Sequence, residues 1–280
     1  MNTINLHTHT NYCDGRCNAE EMILSAIECH MNSIGISTHG PVFFTTDWNI
    51  KKSRVEDYID EVLYLKGKYS DKIDVFLGME LDYIPGIGFD DYTLKLMERL
   101  DYYIGSVHFL GMFKNSDMWT VDYNLDELKQ GINESFKGNA RHAVEAYYEL
   151  ISEMAEKFQP PVIGHLDLIK KNNKNNILFD ENEEWYKSAV LKCLDVIKKT
   201  SSVVEINTGG IARGYTFEQY PSTFILKLMK EKNIPVIINS DAHAREGINC
   251  MFKEMYELVK DLGFESVSII TKNGWTKKQI

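Results

Sequence analysis

The sequence predicts an α/β fold in which a parallel sheet closes, or nearly closes, into a barrel with helices outside. Three observations carry this. Short apolar runs rich in β-formers alternate with longer stretches of helical period, the pattern of strand–helix–strand units. Seven such runs precede residue 240, enough strands for a barrel. The chain has 280 residues, a length that suits one α/β barrel, and no low-complexity linker or repeat divides it, so residues 1–280 read as a single domain.

The candidate strands are Ile4–His7, Ser33–Thr38, Val75–Glu80, Tyr102–Val107, Val162–His165, Val203–Asn207 and Val236–Asn239, with Ser266–Thr271 as a candidate last strand. Between them, Asn18–Met31 places Met22, Ile23, Ala26, Ile27 and His30 three and four apart, one face of a helix. Arg54–Tyr69 repeats this through Tyr58, Val62 and Leu65. Asn139–Phe158 and Glu183–Lys199 are longer helices, the second marked by Tyr186, Val190, Cys193, Leu194 and Ile197. Thr223–Lys232 and Asn249–Leu262 complete the set. Lys114–Lys137 and the polar Lys170–Asn176 read as loops or insertions.

Composition narrows the function. Hydrophobic residues make up 44% and charged residues 26%, ordinary for a globular protein. No apolar run is long enough for a membrane helix. The N-terminal MNTINLHTHTN has neither the basic start nor the apolar stretch of a secretory leader. Cys13, Cys17, Cys29, Cys193 and Cys250 are odd in number and irregularly spaced, which reads as reduced thiols in a cytoplasmic protein. A net charge of -10 disfavours nucleic acid and anionic membranes as partners. Part of that acidity has a use, because carboxylates are natural ligands of hard divalent cations.

The chemistry shows in where the histidines fall. His7 and His9 end the first apolar run, His39 the second, Glu80 the third and His108 the fourth; His165 follows the fifth, and Asp241 and His243 follow the seventh. In parallel α/β folds the carboxyl ends of the strands converge on the face that carries the active site. His7 and His9 are two apart on a strand, so they point the same way, and Asp241 and His243 repeat that spacing. Asp14, in the turn-like DGR, lies close enough to reach back. Gathering this many ionisable groups without a cation would be costly. Nine ligands exceed one ion's needs, so shared carboxylates would let them serve two or three divalent ions. Imidazole-rich sites favour zinc, iron or manganese over magnesium.

Other residues read more plainly. His30 and His142 lie inside helical segments and are expected to be hydrogen-bonded core histidines. Cys13 and Cys17 are expected to be small packing residues, not ligands or nucleophiles. Phe43, Phe44 and Trp48 follow His39 in a loop, where they either wall a pocket or cover the barrel mouth. No Gly-rich phosphate loop and no GxSxG motif offers competing machinery.

The motifs HTHT with Asp14–Gly15, STHG, GMELDYIPG, IGSVHFL, GHLDLIKK, EINTGG with YPS, and SDAH occur in order from residue 4 to about 247. In this the chain resembles the polymerase-and-histidinol-phosphatase (PHP) superfamily, and within it the histidinol-phosphate phosphatase branch. The resemblance implies a distorted (β/α)7 barrel of the PHP type and a trinuclear metal centre. His7, His9, Glu80 and Asp241 would hold one ion; Glu80 would bridge to a second completed by His108 and His165; Asp14, His39 and His243 would hold the third. Some relatives place a histidine near Asp14, and many carry an acidic residue where Thr38 stands.

The implied activity is that of a metal-dependent phosphomonoesterase converting L-histidinol phosphate to L-histidinol and phosphate, a step of histidine biosynthesis. A hydroxide shared between ions would attack phosphorus, with Glu80 bridging and Asp241 or His243 protonating the leaving oxygen. Arg213 and Lys170, the latter a lysine where relatives more often have arginine, would grip the phosphate. Asp82 or Glu205 would receive the cationic amine. The alternatives are a related phosphoesterase acting on another small phosphate ester or a nucleotide, and a non-catalytic metal-binding regulatory barrel. The complete ligand set argues against the latter.

Overall fold

The computed structural model describes residues 3–280. Its strands are β1 (Ile4–Asn5), β2 (Ser33–Ile36), β3 (Asp74–Leu77), β4 (Glu80–Asp82), β5 (Ile104–Ser106), β6 (Phe109–Met112), β7 (Met118–Thr120), β8 (Val162–Ile163), β9 (Val203–Asn207), β10 (Val236–Asn239), β11 (Ser266–Thr271) and β12 (Gly274–Gln279). Its helices are α1 (Ala19–Glu28), α2 (Val55–Lys68), α3 (Asp91–Met97), α4 (Leu125–Phe136), α5 (Ala140–Phe158), α6 (Glu184–Ile197), α7 (Gly209–Ala212), α8 (Thr223–Lys232) and α9 (Phe252–Asp261).

Two parallel sheets, in the orders β1-β2-β3 and β10-β9-β8-β5-β4, make the ring. Both seams are closed where the strands run out. At one, the His9 amide donates to the Ala242 carbonyl (2.8 Å) and the Ala242 amide to that of His7 (3.2 Å). At the other, His39 bridges to Glu80, and the Gly40 amide donates to the Glu80 carbonyl at 2.7 Å. The expected strand Val75–Glu80 is therefore broken: β3 pairs with β2, then β4 pairs with β5. Gly78 sits at the break, where a Cβ would come within 2.3 Å of the Tyr102 ring, so only glycine lets the chain cross over it. With β3 and β4 taken as one interrupted strand, the ring holds the seven predicted strands as a distorted (β/α)7 barrel.

The helices form where periodicity placed them, and end where caps stop them. Asn18 caps α1 in a reciprocal box with Glu21, satisfying two otherwise unpaired backbone donors. Asn139 caps α5, and α6 turns Tyr186, Ala189, Val190, Cys193, Leu194 and Ile197 inward. The Tyr148 and Tyr186 hydroxyls, both buried, meet at 3.1 Å between these helices, so neither is left unpaired in the core.

Three expectations are corrected. Lys114–Lys137 is not a loop: it carries β7, which closes an antiparallel hairpin with β6, and then α4. Helix α4 buries only Leu128, Gly131 and Ile132, too narrow a stripe to read by periodicity, and Trp119 of β7 fills the notch at Gly131. Ser266–Thr271 is a strand, but it pairs antiparallel with β12 instead of joining the ring. His30 and His142 are exposed at helix ends and not in the core. Lys170–Asn176 is irregular as expected, with two short 3-10 turns at Leu168–Lys170 and Lys174–Asn176. Among the described residues, no helix is long and apolar enough to cross a membrane.

Candidate metal centre

The ring brings all nine predicted ligands to one end, around Glu80. Glu80 opens β4 and is 1% exposed. Its Oε2 lies 2.9 Å from His39 Nδ1, 3.1 Å from His7 Nε2 and 3.5 Å from His9 Nε2. Its Oε1 lies 2.8 Å from His165 Nε2 and 3.6 Å from His108 Nε2. Asp241 Oδ1 reaches His9 Nε2 at 3.1 Å, and Asp14 Oδ2 reaches His243 Nε2 at 3.3 Å. Asp241 sits in the left-handed region (φ 50°), an unusual conformation for a residue other than glycine and one that recurs at functional sites. Gly209 makes room for it, since a Cβ there would lie 2.8 Å from Asp241 Oδ2.

Three overlapping groups have donor atoms within 4.8 Å of one another: His9, Asp14, His39 and His243; His7, His9 and Asp241; and His39, Glu80 and His108. The grouping differs from the implied one in that His9 and His39 each stand in two groups, while His165 joins through its contact with Glu80. His7 Nε2, His9 Nε2 and His39 Nδ1 are buried without a hydrogen-bond partner, an arrangement that costs free energy unless something else uses their lone pairs. Imidazole nitrogens plus carboxylates, buried and convergent, fit divalent transition cations such as zinc.

The electrostatics fit the same reading. Burial alone would raise the carboxyl pKa values of Glu80 and Asp241. The surrounding charges outweigh it: His7, His39 and His108 act on Glu80, and Arg213 and His7 on Asp241, holding both well below the usual range. Burial opposes charging His108, yet Asp82 and Glu80 push it up to about 10. His9 goes the other way, lowered by burial and by the neighbouring His243 and His39. Protons on some imidazoles thus balance the carboxylates, a place that bound cations would take over.

A second layer of contacts holds the rings. His7 Nδ1 meets Glu205 Oε2 at 2.6 Å, and His108 Nδ1 meets Asp82 Oδ1 at 2.7 Å. Glu205 is further held by Asn207 and Asn239, and Asp82 by Asn49. The carboxylates expected to receive a substrate amine are thus committed to histidine rings, where they orient the ring and fix its tautomer. The Ser106 hydroxyl donates to Glu80 Oε1 at 2.7 Å. Ser106 and Asn207 escaped the sequence reading, although each lies two residues from a named site residue on or at the end of a strand, on the same face. The Thr38 hydroxyl meets that of Thr10 at 2.8 Å.

Of the two predicted phosphate grips, Arg213 is at the centre and Lys170 is not free. Arg213 Nη2 lies 2.9 Å from Asp241 Oδ2, and its Nη1 donates to the Asp241 carbonyl and meets His243 Nδ1 at 2.6 Å, with 29% of the side chain exposed. Lys170 is 7% exposed and paired with Asp167 (3.1 Å) and Glu218 (2.7 Å). Trp48 stands edge-on to His39 (4.7 Å) and His108 (5.2 Å) and stacks on Phe109, so it walls the site, while Phe43 is half exposed above Phe44. Asp122, just after β7, pairs with Lys171 at 3.0 Å and lies within electrostatic reach of His108 and His165. It was missed because it follows the strand of a segment read as a loop.

Comparison with known proteins agrees with this geometry. The PHP domain matches residues 5–209. The histidinol-phosphatase of Bacillus subtilis is 30% identical over 90% of this chain and 97% of its own. The solved structure of HisK from Listeria monocytogenes superposes with a TM-score of 0.78 at 25% identity, covering 90% of this chain and 99% of that one. A histidinol phosphate phosphatase from Lactococcus lactis, solved in complex with zinc, L-histidinol and phosphate, shares the fold (TM-score 0.74, 16% identity, 98% of each chain). The ring of strands, the convergent histidines and carboxylates, and these matches together establish that the chain belongs to the PHP-domain family.

Proposed function

We propose that this protein is a metal-dependent phosphomonoesterase that hydrolyses L-histidinol phosphate to L-histidinol and phosphate, the histidinol-phosphatase step of histidine biosynthesis. One observation carries the reading: six histidines and three carboxylates from seven separate chain segments converge around buried Glu80, with imidazole nitrogens aimed inward and unpartnered. The Bacillus relative bears the name of this activity, and the Lactococcus enzyme holds zinc, L-histidinol and phosphate.

His7, His9, Asp14, His39, Glu80, His108, His165, Asp241 and His243 would hold two to three divalent ions, zinc first among zinc, iron and manganese. Bound there, such ions supply an activated water nucleophile near neutral pH and offset phosphoryl charge. The protein's own groups do the rest. Glu80 faces five imidazoles with its two oxygens, so its carboxylate would serve more than one of the ions. Asp82 and Glu205 hold His108 and His7 in register. Arg213 is anchored on Asp241 yet partly open, which suits a guanidinium that meets a phosphate oxygen. His243, at 17% the most exposed imidazole of the cluster, takes the Arg213 Nη1–H on Nδ1, so it would hand a proton to the leaving oxygen from Nε2 only while that nitrogen holds no ion, with Asp241 beside it. Five free thiols accord with a cytoplasmic location, and the single ring with one catalytic domain.

A phosphate-release screen across small phosphomonoesters, run beside elemental analysis of the gently purified protein, tests this. L-histidinol phosphate should be preferred, with more than one divalent ion per chain. Equal turnover of all esters would move the assignment to a phosphoesterase of other specificity. No turnover at all with metals bound would favour a regulatory barrel.

A further inference from the structure

A ligand imidazole is oriented by whatever its other nitrogen meets. His7 has Glu205 and His108 has Asp82, both carboxylates. His9 has neither. Its Nδ1 lies 3.6 Å from Cys13 Sγ, and Sγ in turn lies 3.3 Å from the Thr10 carbonyl oxygen. His9 Nε2 is buried without a hydrogen-bond partner and faces Asp241 and Glu80. A His9 that holds an ion there has its lone pair on Nε2 and its hydrogen on Nδ1, aimed at Cys13 Sγ as the acceptor.

We propose that Cys13 is a positioning residue for the metal centre, its thiol fixing the tautomer and aim of His9 as the Glu205 and Asp82 carboxylates do for His7 and His108. This rests on the metal-centre reading. A sulfur acceptor is weak, so His9 lacks the added basicity that a carboxylate partner lends a ligand ring. The ion His9 would share with Asp14, His39 and His243 would then be held less tightly than ions on the carboxylate-backed His7 and His108.

The test is zinc binding to chelator-stripped full-length protein by equilibrium dialysis, comparing wild type with Cys13→Ser, Cys13→Val and Cys13→Ala. Serine keeps an acceptor, whereas valine keeps the volume and loses it. Valine and alanine should weaken one class of zinc site roughly 10- to 100-fold, the usual effect of removing such a support. Serine should stay within severalfold of wild type, and saturating zinc should restore kcat in every variant. If the alanine protein does not fold, the serine–valine pair carries the comparison. Wild-type zinc affinity in Cys13→Val overturns the proposal, as does equal loss in serine and valine. A thiolate-to-metal charge-transfer band in the cobalt-substituted wild type would overturn it too, by making Cys13 a ligand. Failure of the wild type itself to bind zinc would instead sink the metal-centre reading.

Discussion

Replacing Glu80 by glutamine keeps the side chain's shape and removes its charge. The position is 1% exposed, and its two oxygens lie between 2.8 and 3.6 Å from five imidazole nitrogens, so no water can substitute. Any cation held by those nitrogens must sit close to this carboxylate. Two unit charges ~4 Å apart at an effective dielectric of ~20 interact by about 4 kcal/mol. Losing one such interaction from the transition state slows the reaction roughly a thousandfold. Because Glu80 faces both halves of the cluster, this is a lower bound, and at least one ion should be lost as well. The assay is kcat on L-histidinol phosphate at saturating zinc, paired with zinc content by elemental analysis. A Glu80→Gln enzyme within tenfold of wild type, or one retaining full zinc content, would refute the linking role. So would full additivity with Asp241→Ala, since ligands of one centre act as a unit.

Arg213→Ala should raise KM for L-histidinol phosphate at least tenfold, and it also frees Asp241 and His243, so kcat should fall too; steady-state kinetics read both. Glu205→Gln should lower zinc affinity roughly 10- to 100-fold by loosening His7, measured by dialysis of the stripped protein. Lys170→Met strands Asp167 without its partner in the interior, and should destabilise the fold by about 3–5 kcal/mol in denaturant titration while leaving KM near wild type. An unchanged stability with a raised KM would return Lys170 to phosphate binding.

Much of the site was legible because its logic is local. A histidine at the end of an apolar run reports a strand terminus, and parallel sheets gather their termini at one face whatever lies between. His7 with His9, and Asp241 with His243, need only the two-residue period of a strand to share a direction. The partners of these groups were harder to see. That Glu205 belongs to His7 and Asp82 to His108 depends on how the ring closes, and no spacing along the chain relates residues 198 apart. Charge type alone suggested substrate binding for both; burial and distance gave them to the histidines. Lys170 was misjudged for the same reason, since a lysine looks free in sequence until the fold sets two carboxylates beside it.

The sequence by itself determined the seven ring strands, the helices with broad apolar faces, the family and the nine convergent groups, because these rest on periodicity and on residue types that few roles explain. Only the tertiary structure decided that the third strand breaks at Gly78 and that residues 114–137 are a hairpin and helix carrying Asp122 to the mouth. It also decided which imidazole each carboxylate and thiol supports. Those outcomes are set by contacts between distant segments, where a steric limit such as the Tyr102 ring, or a hydrogen bond across the barrel, outweighs any local preference.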